Sequence, residues 1–356
     1  MTKLTAQAAG TFAIAPTPFH DDGRIDEKSI DRLTDFYAEV GCDGVTVLGI
    51  LGEAPKLDAA EAEQVAVRFV KRAKNMQIIV GVSAPGFASM RSLAKASMDA
   101  GAAGVMIAPP PHLRTDDQIT GYFKQAQEAI GDEIPWVLQD YPLTLNVVFT
   151  PAVIRKIVMD SPSCVMLKHE DWPGLEKIST LRGYQKDGSL KPMSILVGNG
   201  GLFLDFEMER GADGAMTGYA FPELLIDVVK LQKAGKRDAA HDLFDAHLPL
   251  IRYEQQPRRG PVGAQIRAAE ARHHLVQRAA QARRDDYGDR KGRGRLSLVA
   301  GGARRPPRQS ATAIQRGRLV QWPRPLPRVP HPPSCCCATA QAPRPTARAA
   351  KRSKSS

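Results

Sequence analysis

Eight short apolar runs recur along the first part of the chain, and helical spacing of apolar residues returns between them. The first runs from Phe12 to Phe19 and ends in the rigid turn Pro16-Thr17-Pro18. The next are Val45–Leu48, Ile78–Val82, Val105–Ala108 and Trp136–Asp140. Val165–Lys168, Ile195–Gly198 and Gly214–Gly218 complete the set. Runs apolar at nearly every position are buried on both faces, as strands of a parallel sheet are. Between them, Ile30, Leu33, Phe36 and Tyr37 recur at helical spacing before Gly41. Similar spacing predicts helices over Asp58–Lys74, Met90–Ala100, Gln118–Ala129, Pro151–Met159, Leu202–Glu209 and Pro222–Lys233.

Eight strand–helix units in about 235 residues predict an α/β fold, a (β/α)8 TIM barrel, which takes ~250 residues. A doubly wound sheet is the alternative. It would want a glycine-rich phosphate loop after the first strand, and Pro16-Thr17-Pro18 is the reverse of one. The barrel is expected over 1–235. A truncated C-terminal helical extension, 236–257, follows with the helical segment Asp238–Glu254 and stops without a cap.

Charge separates the rest. The 356 residues carry a formal net charge of +11, but residues 258–356 hold 23 Lys and Arg against four Asp and Glu, a net of +19. Residues 1–257 therefore carry −8, an ordinary acidic balance. The last 99 residues also hold 11 prolines and almost no apolar periodicity, which cannot build a packed core. Three readings compete for them: a basic extension binding nucleic acid or anionic surfaces, a disordered appendage, or the product of a shifted reading frame. Only Tyr287 and Trp322 supply aromatic rings for nucleic-acid stacking there.

Cys42 and Cys164 lie in apolar runs and read as buried thiols, while Cys335, Cys336 and Cys337 fit neither disulfide nor zinc spacing. Met1–Gly10 lacks a basic-then-apolar leader pattern, and no run reaches the ~18 apolar residues of a membrane span. A cytoplasmic setting without membrane contact is the expectation.

Active sites of such barrels lie at the C-terminal ends of the strands. Lys168 is the one lysine that ends an apolar strand there. An amine in such a pocket is poorly solvated as a cation, which favours the neutral form that attacks a carbonyl. The alternative is a lysine that merely pairs with Glu170 or Glu53. Gly49-Ile50-Leu51-Gly52 can turn backbone N–H groups toward an anion, or can be a tight turn and nothing more. Glu53 reads as a salt bridge or cap of that loop. Gln139 and Asp140 are unusual at the end of a buried strand, and read equally as substrate-hydroxyl ligands or as hydrogen bonds across the barrel top. His112 and His169 are expected at the rim, and neither has metal-ligand spacing.

Taken together, Pro16-Thr17-Pro18-Phe19, Gly49-Ile50-Leu51-Gly52-Glu53, Pro142, Lys168, Gly198-Asn199-Gly200 and Gly211–Gly218 resemble the dihydrodipicolinate synthase/N-acetylneuraminate lyase family of class I aldolases and dehydratases. The resemblance spans residues 11–257. It implies an imine between Lys168 and a small 2-keto acid, with no metal or organic cofactor. It also implies that the amides of Ile50 and Leu51 hold the substrate carboxylate and that Met216 flanks the pyruvyl part. A homo-oligomer is implied if the C-terminus permits one. The synthases carry hydroxyl residues where Ile50, Leu51, Gln139 and Pro111 stand here, so their proton relay is missing. Gln139-Asp140-Tyr141-Pro142, Lys168-His169-Glu170 and His247–Ile251 look more like the sugar-acid dehydratase branch. Tyr141, Glu170 or a bound water is then left to move protons.

Overall fold

A computed structural model describes residues 2–172 and 174–255. Eight strands close a parallel barrel in chain order, β1 to β8, with β8 pairing back to β1. They are β1 Gly10–Ile14, β2 Gly44–Val47, β3 Gln77–Gly81, β4 Gly104–Ile107, β5 Trp136–Asp140, β6 Cys164–His169, β7 Ser194–Val197 and β8 Gly214–Thr217. The helices are α1 Glu27–Val40, α2 Ala59–Arg72, α3 Phe87–Asp99, α4 Asp116–Ile130, α5 Pro142–Leu145, α6 Pro151–Asp160, α7 Leu175–Lys186, α8 Leu204–Glu209, α9 Pro222–Lys233 and α10 Arg237–Glu254. The predicted barrel is therefore the fold.

Side-chain alternation divides the sheet into two packed layers. One set points to the axis: Phe12, Ile14, Ile79, Met106, Val137, Met166, Leu196 and Met216, with Leu4 packed among them. The other set, with Val45, Val80, Leu138, Leu167 and Ile195, meets the apolar stripes of the helices. Period-two alternation puts residues two apart on one face. Lys168 follows Met166 by two, and Gln139 follows Val137 by two. Both therefore point inward at the C-terminal mouth, while Asp140 and His169 point the other way.

Several strands begin one residue before their apolar run, because ladder pairing is a backbone property. The first strand ends at Ile14, earlier than the run suggested, and Phe19 instead bridges Ile25 across the Asp21-Asp22-Gly23 turn. Two helices were not located from the sequence. The four-residue α5 is too short to show periodicity. The buried face of α7 is Lys177, Ile178 and Leu181, and the lysine breaks its apolar stripe. Helix α10 carries Pro249 in its interior and ends at Glu254, with Gln255 as its C-cap. The expectations for residues 258–356, including Cys335 to Cys337, lie outside the described residues. Among the described residues no helix is long and apolar enough to cross a membrane.

Candidate active site

Lys168 stands at the mouth of the barrel, 5% exposed, with Nζ 2.9 Å from Glu170 Oε1. The same oxygen accepts a hydrogen bond from Gln139 Nε2 at 2.8 Å. Across the site, Glu170 Oε2 accepts the backbone N–H of Asn199 at 2.9 Å. One buried carboxylate is thus gripped by an amine from its own strand end, an amide from β5 and a backbone donor after β7. The Gly198-Asn199-Gly200 motif gains its reason here. A Cβ at Gly198 would sit 2.5 Å from Glu170 Cγ and Oε2, so the carboxylate fits only against glycine.

Tyr141 lies half-buried just past β5. Burial pushes its phenol up, a hydrogen bond with Thr144 opposes this, and the Glu170 charge adds to the rise. Met216 is wholly buried in the inward-facing layer. The Gly49–Gly52 loop is held by Thr17 Oγ1, which donates to Gly52 O at 2.7 Å. Leu48 and Glu53 flank it with φ of 55° and 56°. Among the described residues no backbone acceptor takes the amides of Ile50 or Leu51. Leu51 packs on the inward layer, and Ile50 is 42% exposed. Glu53 pairs with Lys56, which supports the loop.

Two expected site residues stand elsewhere. Asp140 does not reach the mouth: it points into the sheet–helix layer, where Lys177 Nζ lies 2.8 Å from Oδ2. The alternation that aims Gln139 inward sends its neighbour outward. For the same reason His169 is not at the rim but fully buried behind β6. Its ring packs where a Cβ at Gly174 would fall, 2.0 Å from Nε2. His112 is exposed, as expected.

The sequence reading missed Lys177 and Glu207. Lys177 bridges Asp140 and Asp171, whose Oδ2 lies 2.7 Å away. Glu207 is buried on α8, and burial, with the charges of Asp205 and Glu170, holds its carboxyl well above the usual range. Its position three residues after Leu204 and one before Met208, both buried, was the available signal.

A closed parallel barrel that presents one inward lysine beside one buried carboxylate at its C-terminal mouth defines a class, the barrel lyases that work on carbonyl substrates. Residues 7–280 match the model of the dihydrodipicolinate synthetase family, and the chain belongs to that family. It is a lyase, the class to which both its dehydratase and its synthase relatives belong. The chain is 27% identical over 260 residues to L-2-keto-3-deoxyarabonate dehydratase of Azospirillum brasilense, covering 72% of this chain and 82% of that enzyme. It is 29% identical over 216 residues to 4-hydroxy-tetrahydrodipicolinate synthase of Chlorobium luteolum, covering 60% and 70%. A crystal structure of dihydrodipicolinate synthase from Rhodopseudomonas palustris is 82% identical with a TM-score of 0.72, covering 73% of this chain and 86% of that one.

Proposed function

We propose that this lyase dehydrates a 2-keto-3-deoxy sugar acid through an imine on Lys168, with Glu170 carrying the proton. The observation behind the reading is the buried Glu170 carboxylate 2.9 Å from Lys168 Nζ, at a mouth where Ile50, Leu51, Gln139 and Pro111 stand instead of relay hydroxyls. The neutral amine adds to the C2 carbonyl, and the oxygen leaves as water with one proton from the nitrogen and one from solvent, giving a protonated imine. That cation acidifies the C3 hydrogen. Glu170 takes this proton, and the C–H electrons form the enamine. The enamine then expels the C4 hydroxyl, which leaves as water with the proton from Glu170. Hydrolysis of the imine returns the amine.

The Ile50 and Leu51 amides would hold the substrate carboxylate, Gln139 would fix Glu170, and Tyr141 and Met216 would line the pocket. A homo-oligomer in the cytoplasm accompanies this reading, and sedimentation velocity checks the assembly. The test is turnover of L-2-keto-3-deoxyarabonate, read as water loss, against condensation of pyruvate with aspartate semialdehyde. Condensation without dehydration would sink the proposal. It would favour the synthase reading, which the 82% identity to the Rhodopseudomonas palustris protein supports. Borohydride reduction with pyruvate should add mass at Lys168 in either case.

A further inference from the structure

Strands β5 and β6 carry ionisable groups on both faces. Gln139, Lys168 and Glu170 gather at the mouth, while Asp140 and His169 stand paired in the ladder on the helix side. Lys177 reaches Asp140 from α7 at 2.8 Å and Asp171 at 2.7 Å. His169 Nδ1 lies 3.7 Å from the same Asp140 oxygen. Lys177, Asp140 and Asp171 together bring one formal net negative charge behind the reacting groups. Buried ion clusters of this kind stabilise no better than apolar residues of the same shape, so stability alone does not account for one. The cluster is also joined to the site through the backbone. Glu170 N donates to Asp140 O at 2.8 Å, and Gly198 N donates to His169 O at 2.8 Å.

We propose that Lys177, Asp140 and Asp171 form a positioning network that sets the aim and the proton affinity of Glu170. The inference rests on Glu170 as the proton carrier. The other groups facing Glu170 are Lys168, Gln139, the Asn199 amide, Tyr141 and Glu207. Lys168 becomes the imine during turnover. Burial raises both the Tyr141 phenol and the Glu207 carboxyl, which favours their neutral forms. The network behind β5 and β6 is then the fixed charge that biases Glu170 throughout the reaction.

The test is the washout of deuterium from C3-deuterated pyruvate into water, followed across pH. This exchange reports proton removal at C3 whatever the natural substrate is. Lys177→Met adds one net negative charge to the network. It should move the acid limb of the exchange rate up by about one pH unit. Asp140→Asn and Asp171→Asn remove one negative charge each and should move the limb down, Asp171→Asn by less because it is nearer solvent. A network that only holds the strands together gives slower exchange with the limb unmoved, and that result overturns the inference. Shifts of the same sign for Lys177→Met and Asp140→Asn overturn it as well. Should Lys177→Met fail to fold, Asp171→Asn at the edge of the cluster decides alone, a downward shift supporting and an unmoved limb overturning. Glu170→Gln is run alongside. Undiminished exchange in that variant, or none in the wild type, sinks the proton-carrier reading and this inference together. An inactive Glu170→Gln beside an unmoved limb sinks this inference alone.

Discussion

At the scale of single residues, the proposed chemistry divides between Lys168 and Glu170, and their variants should separate its steps. Lys168→Ala removes the nucleophile. It should abolish both turnover and borohydride trapping, as mass mapping after digestion will show. Glu170→Gln keeps the shape and the Asn199 contact but cannot accept the C3 proton. It should still trap pyruvate at Lys168 while turnover falls by about 10²–10⁴-fold, the usual worth of a positioned acid–base group. Trapping and turnover lost together in that variant would show that Glu170 serves the amine rather than the elimination. Gly198→Ala tests the packing around the carboxylate. The added Cβ meets Glu170 Cγ and Oε2 at 2.5 Å, closer than such contacts allow, so the carboxylate must shift. Turnover should drop at least about tenfold, since a displacement near 1 Å is enough for a larger loss. Far-ultraviolet circular dichroism should be unchanged.

At the scale of elements, α10 is fastened to the barrel by a histidine clamp. His241 Nδ1 lies 2.6 Å from Asp205 Oδ2, and Nε2 lies 2.6 Å from Glu209 Oε1, both acids on α8. Burial works against the charged ring, but the hydrogen bonds and charges of the two carboxylates outweigh it and raise the His241 pKa. A raised folded-state value means that this stabilisation is fully present below the unfolded histidine value of ~6.5. It is lost as pH climbs through the folded value. Thermal unfolding of the wild type should therefore lose ground to His241→Gln as pH rises from about 6 to 9. Equal slopes for the two proteins would remove the clamp from the account. The elements also show what a sequence can reveal. Strands β5 and β8 and helices α2 and α9 were legible because their apolar spacing has one period and their ends carry turn or cap residues, such as the Asp58–Glu61 capping box. Lys168 was legible because charge at the end of an apolar run is rare. Asp140 and His169 were misplaced for the opposite reason: beside Gln139 and Lys168 they looked like more of the same charged strand end. Alternation across a strand decides the face, but only once the inward register is fixed, and closure of the whole barrel fixes it. Lys177 was illegible because its partner, Asp140, lies 37 positions away.

At the scale of the whole molecule, two regions of opposite charge share one chain. Residues 1–257 carry −8, and residues 258–356 carry +19 with 20 of the 23 basic side chains arginine. The groups assigned to the proposed imine chemistry all belong to the acidic region. The effect expected of the basic region is on association. Polyanions release condensed counterions when cationic side chains neutralise them, and the affinity then falls steeply with salt whatever the sequence bound. The full chain should be retained on immobilised duplex DNA at about 50 mM salt and released well below 1 M. A chain ending at Pro257 should flow through, since a net-negative barrel is repelled by phosphate. This separation is independent of catalysis. If the truncated chain dehydrates the keto acid at the rate of the full chain, the basic region is an appendage to a complete catalytic unit. If the truncated chain is slower and melts lower, residues beyond Pro257 stabilise the barrel as well, and the family match that runs to residue 280 marks where to look.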